Sequence, residues 1–176
     1  MVCIVTRRAA PCRPARLRVY TSMPMFGKTL GQYVGFLRGI LILVAVVFAL
    51  RLGLSLYGMS TVQTRWVSVN LALMIGLVYC AVAVHIKGFG AYKQLLGLLL
   101  VLHAMAHVLI ALAIVLSIVT GVSNAFTAPE YFGGQDGRNW FHVAAHFLAG
   151  GLTGLVAWPP GALILLVTRK LKPVAG

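Results

Sequence analysis

The sequence predicts an all-α integral membrane protein, four transmembrane helices in an antiparallel up-down bundle with both termini in the cytoplasm. Three observations carry this expectation. Apolar residues make up 60% of the 176-residue chain and charged residues only 10%, at a mean hydropathy of +0.94, whereas a soluble domain carries far more surface charge. Four apolar runs are each long enough to cross about 30 Å of hydrocarbon, which takes about 20 helical residues. Basic residues concentrate in alternate connections, the signature of membrane orientation.

Residues 1–30 come first, "MVCIVTRRAAPCRPARLRVYTSMPMFGKTL". Arg7, Arg8, Arg13, Arg16 and Arg18 alternate with Pro and Ala and no acid interrupts them. The stretch has no apolar core of secretory-signal length. It is expected to be a disordered basic leader. An organelle transit peptide or a start at Met23 or Met25 would also account for it.

The four-helix domain then covers 31–172. Its spans are expected at about 33–57, 66–86, 94–120 and 140–167. Within lipid, only a helix of such length satisfies its own backbone. Tyr33, Tyr57, Trp66, Tyr92 and Trp140 fall at the span ends, where interfacial aromatics belong. In the fourth span, Gly150, Gly151 and Gly154 form a small-residue surface that lets another helix approach. Pro159 and Pro160 remove two backbone donors, so a kink or loosening is expected there.

The connections decide orientation. The leader, the loop "KGFGAYK" with Lys87 and Lys93, and the tail with Arg169, Lys170 and Lys172 are basic. The first loop, "GMSTVQTR", holds only Arg65, and the third, 121–139, holds Arg138 with both acids of the chain, Glu130 and Asp136. Both termini therefore read as cytoplasmic, in a bacterial inner membrane. The net charge of +13 is accounted for by this topology, and no nucleic-acid-binding motif accompanies it. The third loop is much longer than its neighbours. It is expected to cap the outer end of the bundle, with Phe126, Tyr131 and Phe132 on the outer membrane surface and Glu130 and Asp136 as the available carboxylates.

Two His-x-x-x-His pairs stand in the last two spans, His103 with His107 and His142 with His146. Residues four apart share a helix face, so each pair has the spacing of metal or haem ligands. Depth argues against one shared site. At about 1.5 Å per residue, His107 lies about 20 Å below the outer end of its span and His146 about 9 Å below that of its own, which leaves the nearest members about 10 Å apart. The pairs are instead expected to make separate polar contacts, His103 and His107 with Tyr79, Ser117, backbone carbonyls or a metal shared between two copies. An intramembrane arginine marks function more than a single histidine does. Arg51, Asn70, His142 and His146 are expected to form a polar cluster beneath the third loop, with Glu130 or Asp136 neutralising Arg51; snorkelling is the alternative for Arg51 and the expectation for Arg38. His85 lies at the inner interface.

Cys3, Cys12 and Cys80 match no zinc or redox spacing, and Cys80 reads as a small buried hydrophobe. The chain has no nucleophile elbow, phosphate loop or zinc-protease helix signature, which leans away from an enzyme. Its general look resembles the small four-span proteins of bacterial membranes, an architecture and not a function. The leading expectation is a non-enzymatic binding, accessory or assembly component that needs no cofactor. Its partners are the lipid bilayer, and a second copy or another membrane protein. The alternatives are a redox protein holding haem or a transition metal on His103, His107, His142 and His146, and a proton or small-solute conductor.

Overall fold

The computed structural model describes residues 24–129 and 135–171. Residues 1–23 of the basic leader, Glu130, Tyr131 and Phe132 of the third loop, and the tail from 172 onward lie outside the described residues. The structure is all-helical, with α1 over Leu30–Leu56, α2 over Val69–Ile86, α3 over Tyr92–Thr120 and α4 over Trp140–Leu171. All four are long and apolar enough to cross a membrane. These features are consistent with a multi-pass integral membrane protein.

Local chemistry starts and stops the helices. Thr29 caps α1 by accepting from the Gln32 amide, while Gln32 Oε1 accepts from the Thr29 amide at 2.8 Å, a reciprocal box that satisfies two end donors. The turn before it is tied to the bundle, since Tyr33 Oη donates to Met25 O and Gln94 Nε2 donates to Phe26 O. α3 stops at Gly121, whose φ of +71° is a left-handed conformation that glycine adopts without strain. The first residues of the expected second span, 66–68, precede α2 and belong to the turn-rich connection from α1.

Packing centres on α3, which touches each of the other three helices, whereas α1 and α4 do not meet. The core is made of Leu37 and Val44 from α1, Leu77, Cys80 and Val84 from α2, Leu95, Leu98, Leu102 and Ile114 from α3, and Leu165 from α4. Most of α1 faces outward, which suits a span against lipid.

The tightest pairing is α3 with α4. A Cβ on Gly150 would come within 3.2 Å of Ala104 Cα and of His107 Cβ, and one on Gly154 within 3.0 Å of Leu100 Cα. Residue numbers rise along one helix as they fall along the other, and the Trp158 indole closes the series by donating to Tyr92 O at 3.1 Å. Pro159 and Pro160 lie inside a helix that runs on through both of them to Leu171.

Candidate functional site

The connection from α3 to α4 determines what the histidines meet. It does not simply cap the bundle. Ser117 Oγ donates to Val122 O at 2.6 Å, and Asn124 Nδ2 donates to Ala113 O at 2.8 Å, so the chain turns back beside the last two turns of α3. Asn124 Oδ1 accepts from the Phe126 amide, and Thr127 Oγ1 lies 3.0 Å from Ser117 Oγ and accepts from the Asn124 amide. Among the described residues no buried side-chain nitrogen or oxygen lacks a hydrogen-bond partner, as burial requires. Phe126, expected on the outer surface, stacks on Phe48 of α1 with ring centroids 5.2 Å apart.

Because the chain re-enters, α4 begins well below the end of α3. Stepping along the helices from the Gly150 and Gly154 contacts brings Trp140 level with Ala113, about two turns short of Thr120. This overturns the expected depth offset. His107 Nδ1 lies 2.8 Å from His146 Nδ1, where about 10 Å had been expected from spans entering at equal height. The two pairs therefore do share a site, through three of their four members.

The arrangement is a chain of polar atoms. His146 Nε2 lies 3.1 Å from His142 Nε2, and His142 Nδ1 lies 2.8 Å from Gly137 O. At the other end His107 Nε2 lies 3.2 Å from Thr153 Oγ1, which donates in turn to Ala149 O at 2.7 Å. Each member is fixed by its own helix. Asn139 Oδ1 accepts from the His142 amide and caps α4, which sets the height of the first imidazole. His146, Gly150 and Gly154 follow at helical spacing, so the face carrying the histidine is the one that the glycines press against α3.

His103 stays apart. It is buried one turn from His107, and its Nδ1 lies 2.9 Å from Leu99 O of its own helix. Of the partners expected for it, a backbone carbonyl is the one found. Tyr79 accepts from Lys87 Nζ, and Ser117 serves the inserted turn. His146 directs one ring nitrogen to each neighbour, so the imidazoles form a line. Among the described residues no three metal-ligating side chains converge on one point.

The imidazole line opens on a cavity of about 430 Å³. Arg51, Arg65, Ser68 and Asn70 line it together with His107, His142 and His146. All four members of the expected polar cluster therefore border one space, joined by His107 and Arg65. Arg51 is buried, with Nη1 donating to Val67 O at 2.8 Å and to Thr64 O at 3.5 Å. The last residues of the α1–α2 connection thus cover the guanidinium, whereas Arg38 is exposed. Of the two acids expected to neutralise Arg51, Glu130 lies outside the described residues and Asp136 is engaged by Arg138. Asp136 accepts from Arg138 at 2.9 Å and pairs with it at 2.7 Å, and this holds its carboxyl below the usual carboxylate range.

Thr153, Asn124 and the carbonyls of Thr64 and Val67 complete the site, and none was legible beforehand. A threonine in an apolar span and an asparagine in a loop are common, and carbonyl direction is a property of the folded turn. No family model matches the chain, and no characterised protein or solved structure is significantly similar to it.

Proposed function

We propose that this is a non-enzymatic binding component of a membrane that holds a small anion in the cavity between Arg51 and the imidazole line. The observation that carries the reading is the lining itself, where two arginines and three imidazoles border one space of about 430 Å³. Guanidinium and imidazole N–H groups supply charge-assisted hydrogen bonds to carboxylate, sulfate or phosphate oxygens. An arginine within a span faces the bundle interior or a cavity and marks a binding path by default.

The finer topology belongs to the same proposal. The four helices run up and down in turn, with both termini on the cytoplasmic side of a bacterial inner membrane. Contacts of Tyr33 with Phe89, of Gln94 with Phe26 and of Arg169 with Tyr92 support this, since they join the start of α1, the end of α2, the start of α3 and the end of α4. The cavity then lies toward the outer face. Separation of His103 from the line, and the packed leucines around it, favour a one-ended site over a conducting path.

The anion's source is either solution or the headgroup of an anionic lipid. In nanodiscs of phosphatidylcholine, calorimetric binding of sulfate tests the first. In discs containing phosphatidylglycerol and no sulfate, retention of that lipid through native mass spectrometry tests the second. Arg51→Gln and Arg65→Gln should each weaken the binding about tenfold or more, and the exposed Arg65 is a position at which folding is not at stake. Wild-type protein that takes up neither sulfate nor anionic lipid would sink the reading.

A further inference from the structure

We infer that Lys28 and Lys87, drawn onto the rings of Phe36, Tyr79 and Phe89, form a docking site for the headgroup of an anionic phospholipid. The site lies at the start of α1 and the end of α2, about 30 Å along α1 from Arg51. It is separate from the cavity and does not rest on the reading above.

Two turns bring these groups together. Lys87 caps the end of α2, where the Gly88 amide donates to His85 O and the Phe89 amide to Val84 O, each at 3.0 Å. That pairing calls for a left-handed residue after the cap, and Gly88 supplies it at φ +61°. Phe89 is thereby turned back against α1, its ring 4.4 Å from that of Phe36 and 5.6 Å from that of Tyr33. Ahead of α1, Met25 and Lys28 exchange both backbone hydrogen bonds around Phe26 and Gly27, whose φ angles are +52° and +82°. Left-handed backbone is unfavourable for phenylalanine, and the bond from Gln94 Nε2 to Phe26 O at 2.9 Å anchors it.

The turns fix where the ammoniums sit. Lys28 Nζ lies 5.1 Å from the centre of the Phe89 ring. Lys87 Nζ lies 5.4 Å from that of Phe36 and 5.2 Å from that of Tyr79, and it donates to Tyr79 Oη at 2.8 Å. At such distances the rings attract and orient the ammoniums without neutralising them. The chain has no side-chain carboxylate to send there. Its two acids, Glu130 and Asp136, both belong to the connection between the end of α3 and the start of α4.

Charge and apolar surface together select the partner. Leu30 and Val34 of α1 and Ile86 of α2, close to the lysines in sequence, are exposed. The occupant must therefore offer an anionic group to the ammoniums and a long apolar body beside them. A phosphodiester with its acyl chains does both, and basic residues at a membrane surface attract anionic lipid. An acidic peptide would meet the charge and leave the apolar faces bare.

The test is native mass spectrometry of the protein released from nanodiscs of equal phosphatidylglycerol and phosphatidylcholine. Every sample carries Arg65→Gln, so that any lipid held at the cavity is weakened alike throughout. Lys28→Gln and Lys87→Gln should each lower retention of phosphatidylglycerol over phosphatidylcholine about fivefold, the scale of one lysine at an anionic surface. Phe36→Leu should lower it too, with every charge in place. Lys170→Gln should leave it unchanged, since Lys170 ends α4, which does not meet α1, and carries the same charge with no ring beneath it among the described residues. No preference for phosphatidylglycerol in the parent would overturn the site. So would equal losses in the three lysine variants, which diffuse attraction predicts, or a Phe36→Leu preference equal to the parent's.

Discussion

His107 and His146 stand with their Nδ1 atoms 2.8 Å apart because Gly150, one turn beyond His146, packs against Ala104 and the Cβ of His107. The polar contact and the close helix approach are thus one feature of the α3–α4 seam. A side chain at Gly150 or Gly154 would press on the α3 backbone at this seam.

That relationship predicts different behaviour for two glycines three residues apart. A Cβ at position 154 meets backbone at 3.0 Å, which cannot yield as a side-chain tip would. Gly154→Val should therefore push the helices apart at a cost of about 1–3 kcal/mol, typical of overpacking. At about 2–4 °C per kcal/mol in a chain of this size, tryptophan-monitored melting should show it clearly. Gly151 meets nothing within 4 Å, so Gly151→Ala should leave Tm unchanged or slightly raised. Equal losses at both positions would contradict the seam.

Asn124 carries the inserted turn. Its side chain donates to Ala113 O and accepts from the Phe126 amide, so Asn124→Ala leaves two backbone groups without their partners in a buried setting. The expected cost is about 1–3 kcal/mol for each group left unpaired, reduced wherever water reaches the site. The turn should then undock. Limited proteolysis in detergent should cut the variant between Gly121 and Pro129 and spare the wild type.

Arg51 is expected to hold the α1–α2 connection as well as line the cavity. Changing it to Gln removes the charged donor to Val67 O and Thr64 O. Hydrogen bonds from charged donors contribute about 1.5–3 kcal/mol. Faster hydrogen exchange should appear at 60–68 and not in the core of α3, because the connection is what the guanidinium ties down. Exchange that rises uniformly over all four helices would point to global destabilisation instead.

The spans were legible because hydropathy and length are properties of consecutive residues, and Trp140 begins its helix at the expected residue while α3 starts two residues before the expected 94. The imidazole line was legible only in its ingredients. The separation of His107 from His146 depends on where α4 begins relative to α3, and that depends on Asn124 reaching Ala113 O, a contact across eleven positions with no local pattern. Phe126 misled for the same reason. An aromatic in a loop between spans reads as interfacial until the loop is known to re-enter the bundle.

Acidification should loosen the junction between α3 and α4 before it affects the helices. Asp136 accepts the Nε–H and the backbone N–H of Arg138, and Arg138 also donates to Gly121 O, so the pair links the end of α3 to the approach to α4. The hydrogen bonds from Arg138 hold the Asp136 carboxyl below its ordinary range. A group whose folded pKa is depressed contributes fully above its unfolded pKa, and the contribution disappears as pH falls through the folded value. The effect should therefore be absent at neutral pH and develop only below the usual carboxylate range. Asp136 is exposed and Arg138 half-exposed, so salt should weaken it. Hydrogen exchange at Arg138 and Asn139, corrected for the intrinsic pH dependence, should rise at acid pH in the wild type. Asp136→Asn should show the raised exchange at every pH, and a variant that still tracks pH would place the titrating group elsewhere.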